Sequence, residues 1–131
     1  MTDDTVLIAH RQINCEMTVE GANHKIYRVP CILDTGAMNV CLPDAICRQM
    51  KLIKVGTTHA SGANGVSEVP VYRAPVGIFG LDGFEESVEI LGLHSNTALL
   101  GFELFSKLDA IHIDFESGTA TFHKNGQSVE H

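Results

Sequence analysis

No apolar run in this sequence is long enough to cross a membrane; those from Val6 to Ala9 and from Leu99 to Leu100 span only a few residues. A signal-peptide pattern is also missing. Met1-Thr2-Asp3-Asp4 opens with acid where such a segment needs basic residues and a long apolar stretch. Basic charge is scarce: nine Lys and Arg stand against sixteen Asp and Glu, a formal charge of −7, and the nine are scattered from Arg11 to Lys124 without a cluster. Nucleic acid and anionic membrane surfaces repel such a chain, so neither is expected as a partner. Metal-site spacing is absent too. The seven histidines (His10, His24, His59, His94, His112, His123, His131) include no His-x-x-x-His pair, and the four cysteines (Cys15, Cys31, Cys41, Cys47) no Cys-x-x-Cys. Without Gly-x-Ser-x-Gly, a serine hydrolase lacks its signature, and nothing local supports a cysteine nucleophile. With no export signal, the cysteines read as reduced thiols, mostly packed in a core, and the expected compartment is the cytoplasm.

What is present is a folding chain of 131 residues, 44% hydrophobic and 19% charged, long enough for one domain and undivided by linker, repeat or low-complexity tract. Most of it reads as β-structure. Ile13, Cys15, Met17 and Val19 alternate with polar neighbours, Gly21-Ala22-Asn23 turns the chain, and His24 to Leu33 returns as a second strand. Pro30 has no backbone donor, so this strand should be at an edge or unpaired near that point. Asp44 to Lys51 suits a short helical turn after Pro43. Lys54 to His59 and Val66 to Ile78 read as arms joined across Ala60-Ser61-Gly62-Ala63-Asn64-Gly65, a mobile hairpin tip. After the turn at Gly80-Leu81-Asp82-Gly83 a strand runs from Phe84 to Leu91. Phe102, Phe105 and Leu108 predict a helix over 102–110, Ala110 to Phe115 and Thr119 to His123 a terminal hairpin, and the polar segment from Asn125 a tail that frays or pairs with a partner chain. The acidic pairs Asp3-Asp4 and Glu85-Glu86 read as solvated surface.

The informative stretch is Cys31-Ile32-Leu33-Asp34-Thr35-Gly36-Ala37, an apolar strand leading straight into a carboxylate. A carboxylate is costly to bury without partners, and the simplest role for Asp-Thr-Gly is a turn. The context adds to it: Leu42-Pro43 closes the segment, the Gly-rich tip follows, and then come Ala98-Leu99-Leu100-Gly101, a helix from Phe102 and the strand Ile111-His112-Ile113-Asp114.

This order, from about Ile13 to Phe122, resembles the retroviral-like (retropepsin) aspartic proteases. The resemblance implies an all-β, closed-barrel-like fold with a flap hairpin and one short C-terminal helix. It implies an aspartic endopeptidase acting on peptide or protein substrates without a cofactor. Asp34 matches the catalytic aspartate, Thr35 the threonine that bonds across the active-site floor, and Gly36 the glycine of the sharp turn. Ala37 stands where the viral-type enzymes carry alanine, and Leu99, Leu100 and Gly101 match the apolar-apolar-Gly element beside the catalytic loop. Ser61, Gly62, Ala63, Asn64 and Gly65 fall where the flap tip belongs, and Val40, Val66 and Leu99 are candidate subsite walls. Met38-Asn39 departs from the acidic or small polar residues of many relatives. The chemistry needs two carboxylates, and no second Asp-Thr-Gly occurs; Asp109 and Asp114 are weak substitutes because Thr-Gly follows neither. The resemblance therefore implies a homodimer with one Asp34 from each chain. The alternative is a non-catalytic peptide-binding or dimerisation module on the same fold.

Overall fold

In the computed structural model, which describes residues 12–62 and 65–131, strand β1 (Asn14–Glu20) keeps the expected alternation, with Cys15, Met17 and Val19 buried. Strand β2 (Ile26–Leu33) begins two residues later than the sequence suggests. His24 adopts a positive φ of 64°, and the Gly21 N–H donates to the Lys25 carbonyl at 2.9 Å, so the turn runs on to Lys25. Next come β3 (Val40–Pro43), helix α1 (Asp44–Gln49), β4 (Ile53–Gly62), β5 (Gly65–Ile78), β6 (Glu85–Leu93) and the two-residue β7 (Leu99–Leu100). Helix α2 (Phe102–Phe105) leads into β8 (Ala110–Asp114), β9 (Thr119–Lys124) and β10 (Gln127–Glu130).

Seven strands share one sheet in the order β1-β2-β7-β3-β6-β5-β4, and β1 also pairs with β5 through Met17–Ile78 and Val19–Val76. That second pairing curls the sheet onto itself, which gives the barrel-like form and leaves β4 as an outer strand. Strands β8 to β10 form a separate antiparallel sheet, whose Ala120 and Phe122 enter the same core as Met17, Val40, Leu42, Val76, Ile90, Leu100 and Leu104.

Pro30 is tolerated because of the ladder's phase. The Leu33 N–H bonds the Ile13 carbonyl on the β1 side, and the Ile32 N–H bonds the Ala98 carbonyl on the other. Position 30 shares the Ile32 side, where β7 pairs only with Ile32 and Leu33, so no ladder bond is lost. As expected, β4 and β5 form a long hairpin. Since β5 meets β6 only from Val71 onward, the segments 57–62 and 65–70 project as a two-stranded ribbon paired to each other alone.

Two expectations are corrected. The helix over 102–110 ends at Phe105, because the Lys107 and Leu108 N–H groups bond carbonyls three residues back and the Asp109 N–H is taken by the His123 carbonyl at 2.9 Å. Phe105 and Leu108 still pack on the core, so the periodicity reports burial without a continuous helix. The segment from Asn125 folds back onto β9 as β10, through a turn in which Asn125 and Gly126 both have positive φ (51° and 80°). His131 fastens its end. Its Nδ1 accepts the Glu16 N–H at 3.1 Å and its Nε2–H donates to the Phe79 carbonyl at 2.8 Å.

Candidate active site

The strand β2 ends with buried Leu33, and the next residue, Asp34, is half-buried at the start of a tight loop. Four hydrogen bonds shape that loop. The Asp34 N–H donates to the Leu100 carbonyl at 3.1 Å, and the Ala37 N–H to the Asp34 carbonyl at 3.2 Å. The Phe102 and Glu103 N–H groups donate to the carbonyls of Ala37 and Met38, each at 2.8 Å. These last two are N–H groups that a helix start leaves without an intrahelical partner, so α2 satisfies its first turn on the loop itself. The Glu103 Oε1 accepts the Glu89 N–H at 2.8 Å and so fixes α2 to β6.

The element β7 is the keystone of this arrangement. Leu99 and Leu100 run parallel to Ile32 and Leu33 on one side, while Leu99 pairs antiparallel with Cys41 on the other. The chain on both sides of the Asp34 loop is thus stitched to one short segment. Gly101 follows it, and a Cβ there would lie 2.1 Å from the Asn39 carbonyl oxygen and 3.1 Å from that of Ala37. Its φ of −99° suits any residue, so glycine is needed there for close approach alone.

The carboxylate is tied to its own loop once: the Gly36 N–H donates to Asp34 Oδ1 at 2.9 Å. Position 36 lies outside the positive-φ region, and a Cβ would meet only Asp34 Oδ1 at 3.4 Å, so within the chain the N–H is what this residue supplies. Thr35 and Gly36 are exposed and Ala37 is half-buried. Beneath the loop, burial and the negative charge of Asp34 push the buried Cys41 thiol up to about 11.

The structure brings Asp34, Thr35, Gly36 and Ala37 together with Leu99, Leu100 and Gly101, the element the resemblance sets beside that loop. The hairpin residues gather elsewhere. Ser61 and Gly65 are exposed, Gly62 pairs with Gly65 to close the ribbon, Val66 is exposed, and Ala63 and Asn64 lie outside the described residues. Val40 is corrected: it is 0% exposed within the core and cannot line a subsite open to a ligand. Leu99 is half-buried on β7. Sequence reasoning passed over the two clamping N–H groups of α2, which carry no side-chain signal. It also passed over the exposed apolar side chains of Met38 and Phe102 on the clamped segments.

Asp109 and Asp114 are engaged locally. Asp109 accepts the Asn125 N–H at 2.8 Å and pairs with Lys124 at 3.6 Å, and Asp114 accepts the N–H groups of Glu116 and Ser117. Among the described residues no three His, Cys, Asp or Glu gather as a metal-binding group, and no helix is long and apolar enough to cross a membrane. His10 lies outside the described residues.

No protein-family model matches the chain, and no curated protein does. Among solved structures it is similar to the solution structure of simian foamy virus (mac) protease, with a TM-score of 0.51 and 18% identity over 71% of this chain and 91% of that one. At that identity the likeness is one of architecture. The chain has an all-β, retroviral-protease-like fold.

Proposed function

We propose that this chain is a retropepsin-like aspartic endopeptidase, active as a homodimer in which Asp34 of each protomer supplies one carboxylate. One observation carries the reading: a half-buried carboxylate, held at 2.9 Å by the Gly36 N–H, on a loop pinned to β7 and α2 from outside, within a retroviral-protease-like architecture. An Asp-Thr-Gly that served only as a turn would not need the close approach at Gly101.

The chemistry follows from pairing two such groups. Carboxylates close together cannot both ionise cheaply, so the pair shares one proton and its two apparent pKa values separate. The ionised member takes a proton from a bound water, whose oxygen attacks the peptide carbonyl carbon. The protonated member gives its proton to the carbonyl oxygen. Collapse of the resulting diol breaks the C–N bond as a proton passes to the leaving nitrogen. Thr35, exposed beside Asp34, is assigned the bond across to the partner, and Leu99 and Ala37 a share of the binding surface. The projecting ribbon, with Ser61 to Gly65 at its tip, is assigned the flap that covers an extended peptide. No metal or cofactor enters these steps. The four free thiols are the support for a cytoplasmic location.

A peptide-library digest with wild type and Asp34→Asn, with and without a statine-type transition-state mimic, tests the reading. Cleavage by wild type that the mimic suppresses and the variant loses is the expected result. Full activity in Asp34→Asn overturns it, and peptide binding without cleavage by an assembled dimer replaces it with a non-catalytic module.

A further inference from the structure

Cys15 and Cys31 face each other across the β1–β2 ladder with their sulfurs 3.4 Å apart, each about 5% exposed. Both line a surface cavity of about 290 Å³ whose rim includes Pro30, Asn96 and Thr97. We propose that this pair is an oxidative modification site, a dithiol that closes to a reversible Cys15–Cys31 disulfide when a small hydroperoxide enters the cavity. The proposal rests on the thiol geometry and does not depend on the peptidase reading.

Directly opposed antiparallel residues have Cα atoms about 4.5–5.5 Å apart, inside the range a disulfide spans, and the sulfurs must approach by roughly 1.4 Å, which side-chain rotation can supply. The phase of the ladder decides the character of the bond. The Leu33 N–H bonds the Ile13 carbonyl, so the pair two residues along, Cys15 with Cys31, is of the hydrogen-bonded kind, whose Cβ atoms stand wider than a relaxed disulfide prefers. A bridge here is strained and readily reduced, which suits a labile bond more than a permanent staple. At rest the pair is a dithiol: the proton shared with Cys15, together with burial, pushes the Cys31 thiol far above its ordinary range. Of the other two cysteines, Cys41 directs its sulfur at the Asn39 carbonyl, and Cys47 is fully enclosed in the core.

The electron count closes with hydrogen peroxide. One sulfur attacks a peroxide oxygen as its thiol proton passes to the departing oxygen; the O–O bond breaks, one water leaves, and a sulfenic acid remains. The second sulfur displaces the hydroxyl as another water and forms the S–S bond. The two sulfurs lose two electrons and the peroxide gains them.

The test titrates the folded full-length protein with hydrogen peroxide, alkylates the remaining thiols and maps the peptides, with circular dichroism following the fold. The expected product has lost two thiols and about 2 Da, contains a Cys15–Cys31 cross-linked peptide, keeps Cys41 and Cys47 alkylatable, and returns to the dithiol with a reductant. Cys15→Ala should abolish the cross-link and leave Cys31 as a trappable sulfenic acid. Three outcomes overturn the proposal: both thiols stay alkylatable, the first disulfide involves Cys41 or Cys47, or the cross-link forms only after the circular dichroism signal is lost.

Discussion

Two aspartates in this chain end a β-strand and enter a turn, and the two turns are built in opposite ways. Asp114 closes its turn with its own side chain, which accepts the N–H groups of Glu116 and Ser117, and these bonds hold its carboxyl below the usual carboxylate range. The residues from Asp114 to Gly118 are all exposed. Asp34 makes one such bond, to the Gly36 N–H, while the shape of its loop comes from elsewhere: the Leu100 carbonyl and the N–H groups of Phe102 and Glu103. A carboxylate whose bonds hold up its own turn is committed to structure. Both carboxylates accept through Oδ1 alone, so what separates them is the support of the loop, its own side chain at Asp114 and remote segments at Asp34. The same residue type at the same local position thus acquires different surroundings from long-range pairing.

Exchanging charge for amide at each aspartate draws the contrast most sharply. Asp34→Asn should lower peptide cleavage by about 10³-fold with the fold and dimer retained, whereas Asp114→Asn should leave cleavage unchanged; parallel assays at matched dimer concentration decide this. The supports come next. Gly101→Ala drives a methyl into the Asn39 carbonyl and should cost about 3 kcal/mol or more in urea unfolding, while Gly36→Ala, which meets only Asp34 Oδ1 at 3.4 Å, should leave chain stability nearly unchanged. A smaller loss, about 1 kcal/mol, is expected for Gly126→Ala, which forces a side chain into a φ of 80° at the β9–β10 turn.

The smallest effect is the pH dependence of Asp114. Its carboxyl is held lower in the folded chain than in the unfolded one, so it stabilises the fold above the unfolded value of about 3.9 and loses that contribution as pH falls through the folded value. The stability gap between wild type and Asp114→Asn should therefore be widest at neutral pH and close on acidification below about pH 4. A gap that widens instead would mean that the turn bonds do not favour the charged form.

Much of this is legible in the amino-acid sequence alone. Alternation marks Cys15, Met17 and Val19 as one buried face, and the resemblance carried by Asp34-Thr35-Gly36 and Leu99-Leu100-Gly101 sets that segment beside the loop. The misreadings share a cause, which is that local patterns do not register distant partners. Phe102, Phe105 and Leu108 keep helical spacing, yet the His123 carbonyl captures the Asp109 N–H and turns the chain away. Val40 is equally apolar whether it lines a cleft or fills a core, and only its packing decides that it fills the core. Asn125-Gly126 is different, since an Asn-Gly pair carries its own hairpin signal and a polar tail reading overlooks it.

The insertion of β7 between β2 and β3 also sets an order of events. Leu99 and Leu100 must reach Ile32, Leu33 and Cys41 from far along the chain, and such non-local pairings form slowly because loop closure is costly before any contact is gained. A chain emerging from synthesis carries Asp34 long before it carries Leu100 or the α2 clamp. Until that late segment threads home, the Asp34 loop lacks the bonds that hold it from outside. The final shape of the Asp34 loop therefore waits on a segment made well after it.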